Sequence, residues 1–175
     1  STDGETIFNL DFSSGDGSTL GDLSSNGHNF AIQGNASWST NVPTPPADPP
    51  PSGGNHSLSF DGVDDYVNLD NQANVAGDFT IFAYINISNS YPEQVHTIIG
   101  KSDETWSSNG AAKGYMIEVY NNVLHFGYRT DNGGSWSNVN STVNIEYNQW
   151  YHIAVKRSGS EIELFVDGVT VGNGT

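Results

Sequence analysis

Along this chain apolar residues recur at every second position over short stretches, with turn formers between the stretches. In residues 6–12 (TIFNLDF), Phe8, Leu10 and Phe12 share one parity, the mark of a half-buried strand. Residues 79–87 (FTIFAYINI) are apolar throughout on one parity, through Phe79, Ile81, Ala83, Ile85 and Ile87. Further strands are predicted at 30–36, 56–60, 66–69, 95–100, 114–120, 123–129, 138–144, 149–157 and 161–166. Asn121 and Asn122 tolerate positive φ and predict a two-residue hairpin turn between two of them. No window carries apolar residues at i, i+3, i+4 and i+7 over three turns. About eleven short strands joined by turns predict an all-β, two-sheet antiparallel β-sandwich of the jelly-roll type.

Composition agrees with this pattern. Gly, Asn, Ser, Thr and Asp are abundant, whereas the good helix formers Ala, Leu, Glu and Lys are scarce. The length of 175 residues suits one domain with one core. Residues 41–54 (NVPTPPADPPPSGG) hold six of the seven prolines and predict an extended loop within that domain. No stretch approaches the roughly 18 apolar residues of a membrane span. No leader pattern opens at Ser1, so a mature or processed start is expected.

Charge narrows the partners. Twenty acidic residues against five basic ones give a formal net charge of −15. Phosphate backbones and anionic membrane surfaces would be repelled, so neither nucleic acid nor membrane insertion is expected. With no cysteine, disulfides, thiolate metal sites and a cysteine nucleophile are excluded, and a secreted or cell-surface bacterial protein is the expected setting.

Several segments together resemble the laminin G-like, concanavalin A-like lectin/glucanase superfamily. They are SLSFDGVDDYVNL at 57–69, FTIFAYINI at 79–87 with IIGK at 98–101, and WYHIAVKRSGSEIELFVDGV at 150–169. The opening strand and loop, from LDFSSGDG to the Asn-Ala-Ser-Trp that ends at Trp38, is similar to the start of such domains. The resemblance implies a single concanavalin A-like jelly-roll domain over residues 1–175 that lacks the family's last strand, either because the chain is truncated or because another segment or a partner supplies that strand. It also implies a structural calcium near the loop of Asp22, and a core position for His152, which shares parity with Trp150 and Ala154.

In an antiparallel sandwich successive connections alternate between the two ends. Counted over the predicted strands, one end gathers Asp16, Asp22, Asn26, Asp61, Asp64 and Asp65. Calcium takes six to eight oxygen ligands, and such loops supply carboxylates, amide oxygens and backbone carbonyls. The same aspartates also suit turn caps, which need no metal. The other end gathers Trp106 and Trp136 in neighbouring loops. Sugar rings stack on aromatic faces, while Asp103, Tyr128, Arg129, Asp131 and Asn132 would meet their hydroxyls. The two indoles also suit lids folded back over the core.

Catalysis finds no pattern. The Glu-x-Asp-x-x-Glu strand of glycosidases of this fold class is absent, and so is a Gly-x-Ser-x-Gly nucleophile elbow. The expectation is a non-catalytic, calcium-stabilised, lectin-like module binding a glycan or polysaccharide, or an accessory module of a carbohydrate-active enzyme. The alternative is a protein–protein adhesion or spacer module of a large extracellular protein.

Overall fold

The computed structural model describes residues 6–43, 55–70, 72–73, 77–90, 95–102, 114–129 and 136–175. Among them there is no helix, and every strand pair is antiparallel. The all-β sandwich read from the alternation is the fold observed. The chain divides into two compact units, Ser1–Asn74 and Val75–Thr175. Most of the Pro-rich loop expected at 41–54, from residue 44 onward, lies outside the described residues.

The first unit holds six short strands: β1 (Leu10–Asp11), β2 (Thr19–Asp22), β3 (Asn29–Gln33), β4 (Ser37–Ser39), β5 (Ser57–Ser59) and β6 (Tyr66–Asn68). Four form a sheet in the order β1-β2-β3-β6, and β4 pairs with β5. Leu20 and Phe30 are fully buried and face one another in register, Leu20↔Phe30. The ring of Phe8 meets Phe30 edge-on at 6.0 Å. Trp38 stands edge-on to both Phe12 and His56, and its indole N–H donates to the Gly17 carbonyl at 2.8 Å.

The second unit has eight strands: β7 (Phe79–Asn86), β8 (His96–Ser102), β9 (Gly114–Tyr120), β10 (Val123–Arg129), β11 (Ser137–Asn144), β12 (Trp150–Ser158), β13 (Glu161–Val166) and β14 (Val169–Gly174). They make two four-stranded sheets, β11-β10-β9-β8 and β14-β13-β12-β7. The inward parities of both sheets interleave into one core, with Ile117, Val119, Leu124 and Phe126 from one side and Ile153, Val155, Ile162 and Leu164 from the other. Tyr115 lies in this core, and burial pushes its phenol up to about 12. The predicted hairpin turn is present, with Asn121 at φ 49° and Asn122 at φ 65°.

Strands β2, β4 and β14 were not predicted. Strand β14 returns through a second two-residue turn, Asp167 at φ 50° and Gly168 at φ 78°. Its Gly- and Asn-rich sequence hides it among loop residues. Along β11 and β14 the two sheets close tightly. A Cβ on Gly172 would lie 2.5 Å from the Asn140 carbonyl oxygen, and the Thr142 hydroxyl donates to the Val171 carbonyl at 2.9 Å.

His152 is not a core residue. The buried set on β12 is Tyr151, Ile153 and Val155, while Trp150, His152 and Ala154 face outward, only partly buried. Both parities of this strand carry an aromatic, and the β-branched one is the parity that fills the interior. His152 instead lies among Tyr84 and Phe82 on the outer face, with ring centroids at 4.9 and 5.9 Å.

Candidate functional site

In the first unit β2 cuts the single loop expected at residues 13–29 into two. Asp16 falls in the β1–β2 connection and Asn26 in the β2–β3 connection, at opposite ends of an antiparallel sheet. Asp16 is exposed. Asp22 is engaged by four donors: the Asn9 and Ser24 amides at 2.8 Å, the Ser24 hydroxyl at 2.7 Å and the His28 amide at 3.3 Å. Asn26 adds to this tie through its side-chain amide, which donates to the Ile7 carbonyl at 2.9 Å. These residues bind the β2–β3 connection to the incoming chain.

The Asp22 carboxyl is held at about 2, below its ordinary 3.8. Partial desolvation pushes it upward, but the bonds from Ser24, Asn9 and His28 all favour the charged form and outweigh that push. A carboxyl lowered on folding stabilises the fold above its unfolded pKa, and this contribution fades as pH falls through the folded one. Asp22→Ala is therefore expected to cost the first unit about 1–2 kcal/mol at pH 7, the range for a lost capping side chain. The difference from wild type should shrink between pH 4 and pH 2 in urea denaturation followed at each pH.

Asp61, Asp64 and Asp65 do come together. One carboxylate oxygen from each lies within 4.8 Å of the others, with Asp65 half-buried and its two partners exposed. Local turn geometry assembles them. The Asp65 carboxylate accepts from the Asp61 amide at 2.7 Å and from the Asn35 amide, and Asp61 accepts from the Val63 amide at 2.8 Å. Gly34, at φ 75°, lets the β3–β4 turn come down onto Asp64 and Asp65, where a Cβ would meet the Asp64 carbonyl at 2.8 Å. Three hard oxygen donors in one loop have the chemistry calcium prefers, with Asp65 already doubling as a turn brace.

In the second unit, of the residues expected to meet a sugar, Trp106, Asp103, Asp131 and Asn132 lie outside the described residues. Trp136 is described, and it is set against a strand. Its benzo ring, through Cε3, lies 3.4 Å from where a Cβ on Gly127 would be. The Asn138 side-chain oxygen, at 3.0 Å, and the Met116 side chain, at 3.4 Å, close on the same point. Gly127 is in register with Met116 on β9 and Asn138 on β11. A Cβ at position 127 would press first on the Asn138 side-chain oxygen and would touch the indole at ordinary contact distance, so Trp136 lies over bare backbone on the outer face of this sheet.

Tyr128 points the other way, stacked on Phe126 at 5.7 Å and packed against the core. Arg129 ends β10 with only 7% of its surface exposed. The outer face also carries the imidazole of His125, whose Nδ1 is 2.7 Å from the Asn140 side-chain oxygen and whose ring lies 6.3 Å from that of Tyr120. The Trp136 seat on Gly127 and the His125–Asn140 pair were not read from the sequence. Both depend on strand register, which periodicity leaves open.

No curated protein matches the chain. Among solved structures, an S-layer domain-containing protein from Clostridium thermocellum is similar, with 24% sequence identity and a TM-score of 0.54, covering 97% of this chain and 72% of that one. Residues 61–175, which include the whole second unit, match the laminin G family model described as the concanavalin A-like lectin/glucanases superfamily. With both sheets of the sandwich inside that match, the chain belongs to the concanavalin A-like lectin/glucanases superfamily.

Proposed function

We propose that this chain is a non-catalytic carbohydrate-binding module of a secreted or cell-surface bacterial protein. The observation that carries the reading is the seat of Trp136. An indole half-buried against Gly127, beside the exposed amides of Asn138 and Asn140, joins an aromatic stacking surface to hydrogen-bonding groups that suit sugar hydroxyls. A tryptophan serving only as a lid would need no polar row beside it. The acidic, cysteine-free composition supports an extracellular setting, and the similar Clostridium thermocellum protein is named for its S-layer domain.

Calcium belongs to this reading as a structural ion of the first unit, with Asp61, Asp64 and Asp65 as its carboxylate ligands. Bound there, it would neutralise clustered negative charge in a chain of net charge −15 and brace the loop between β5 and β6.

A glycan array on wild type and Trp136→Ala, with melting curves in calcium and in chelator, tests both parts. Wild type is expected to bind, Trp136→Ala to lose about tenfold or more in affinity, the worth of roughly 1.4 kcal/mol of stacking, and chelator to lower the melting temperature. Absence of any glycan signal at millimolar concentration would refute the binding reading, and melting that ignores calcium would refute the ion.

A further inference from the structure

The outer face of the β8–β11 sheet has a shape of its own. One register row crosses all four strands as Gly100, Met116, Gly127 and Asn138. Two of these four positions have no side chain. At Gly127 the space is taken by the side chains of Asn138, Met116 and Trp136. At Gly100 it stays open among the described residues: a Cβ there would meet the Tyr115 carbonyl at 3.8 Å and the Met116 Cβ and Thr97 Cγ2 at 3.9 Å, all ordinary contacts. The row is thus filled over Gly127, where the side chains of Trp136, Met116 and Asn138 converge, and falls away at Gly100, a shallow trough that runs from Trp136 along the apolar flank of Met116 to an open notch. The neighbouring row, Thr97, Glu118, His125 and Asn140, forms one polar wall.

The charge of this wall selects the occupant. Glu118 is its one carboxylate, and no lysine or arginine stands in either row. Sulfated or uronic acid sugars would meet a carboxylate within a chain of net charge −15, with no cation in the row to receive them. One carboxylate is also too few for a calcium bridge to the ligand. Four strands spaced roughly 4.8 Å apart span about 14 Å from first to last, more than one sugar ring covers.

We propose that this trough, from Trp136 across Met116 to Gly100, binds an uncharged oligosaccharide of more than one ring and does so without calcium. The proposal rests on the carbohydrate-binding reading above. It adds the ligand class, the direction of the ligand across the strands and independence from the metal.

Gly100→Leu is the direct test, because it fills the notch far from Trp136 and meets no backbone closer than ordinary contact. Titrations use the neutral oligosaccharides that bind in the array, together with sulfated and uronic acid counterparts, in calcium and in chelator. Gly100→Leu is expected to weaken neutral-oligosaccharide binding at least tenfold while leaving the monosaccharide affinity and melting temperature near wild type, and chelator should leave affinity unchanged. Should Gly100→Leu not fold, Asn138→Ala at the exposed far end of the row takes its place, with a several-fold loss expected.

Wild-type affinity in the folded notch variant, a preference for acidic sugars, or loss of binding in chelator would each overturn the trough. Those results leave the broader reading standing if Trp136→Ala still abolishes binding. No glycan binding at all, with a second chain or another protein covering this face in crosslinking, would overturn both.

Discussion

Phe126→Ala is expected to lower the stability of the second unit by about 4 kcal/mol, within the range for deleting a buried phenylalanine. Phe126 is 1% exposed and lies at the junction of four rings. It stacks on Tyr128 at 5.7 Å and meets Phe79 and Tyr115 at 6.1 and 6.4 Å. Phe79 comes from the opposite sheet, so truncation opens a void between the two layers that neither can close alone. Domains of this size are stable by only about 5–15 kcal/mol. Urea denaturation should show the loss as a lower midpoint at an unchanged slope. A cost below about 1 kcal/mol would mean that the rings collapse to fill the space.

Gly172→Ala is expected to cost about 2–3 kcal/mol, by overpacking where the sheets meet. In most strand positions the same change is neutral or favourable, because alanine restricts the unfolded chain. Here the added methyl would lie 2.5 Å from the Asn140 carbonyl oxygen and 3.2 Å from its carbon, and backbone cannot swing aside as a side chain can. Gly174 supplies the control. There the close neighbour is Val139 Cγ2 at 2.7 Å, a side-chain methyl that can give more than backbone can, so Gly174→Ala should cost less. Equal melting temperatures for the two variants would contradict the seam as described.

Much of the second unit was legible because its alternation is strict. Phe79 to Ile87 on one parity, and the Asn121–Asn122 turn between two seven-residue strands, specify elements that the structure reproduces within a residue or two. Legibility failed where composition and conformation part company. Strand β14 reads as loop because Gly172 and Gly174 are demanded by the close approach of β11. Strand β2 reads as loop because four residues with one glycine carry too little periodicity. The core position of His152 followed from the resemblance, whereas the buried parity of β12 is the one of Ile153 and Val155.

The site divides in the same way. Asp61, Asp64 and Asp65 sit close in sequence, and one turn assembles them, so their clustering was readable. Asp22 was read as a calcium ligand or a turn cap, but not as a carboxylate saturated by backbone and hydroxyl donors, since those come from Asn9, Ser24 and His28 in three places. The platform under Trp136 needed the register that sets Gly127 between Met116 and Asn138, and that information is not local.

Met116 is the only methionine in the chain, and the only sulfur, since there is no cysteine. All of the protein's thioether chemistry therefore sits on the middle of one sheet's outer surface, half-buried between two glycines. Peroxide has a single soft atom to attack. The resulting sulfoxide would place a polar, chiral oxygen between Gly100 and Gly127, while the interior, built from aliphatic and aromatic carbon, would be spared. Oxidative damage would thus fall on the outer surface of this sheet before it fell on the core.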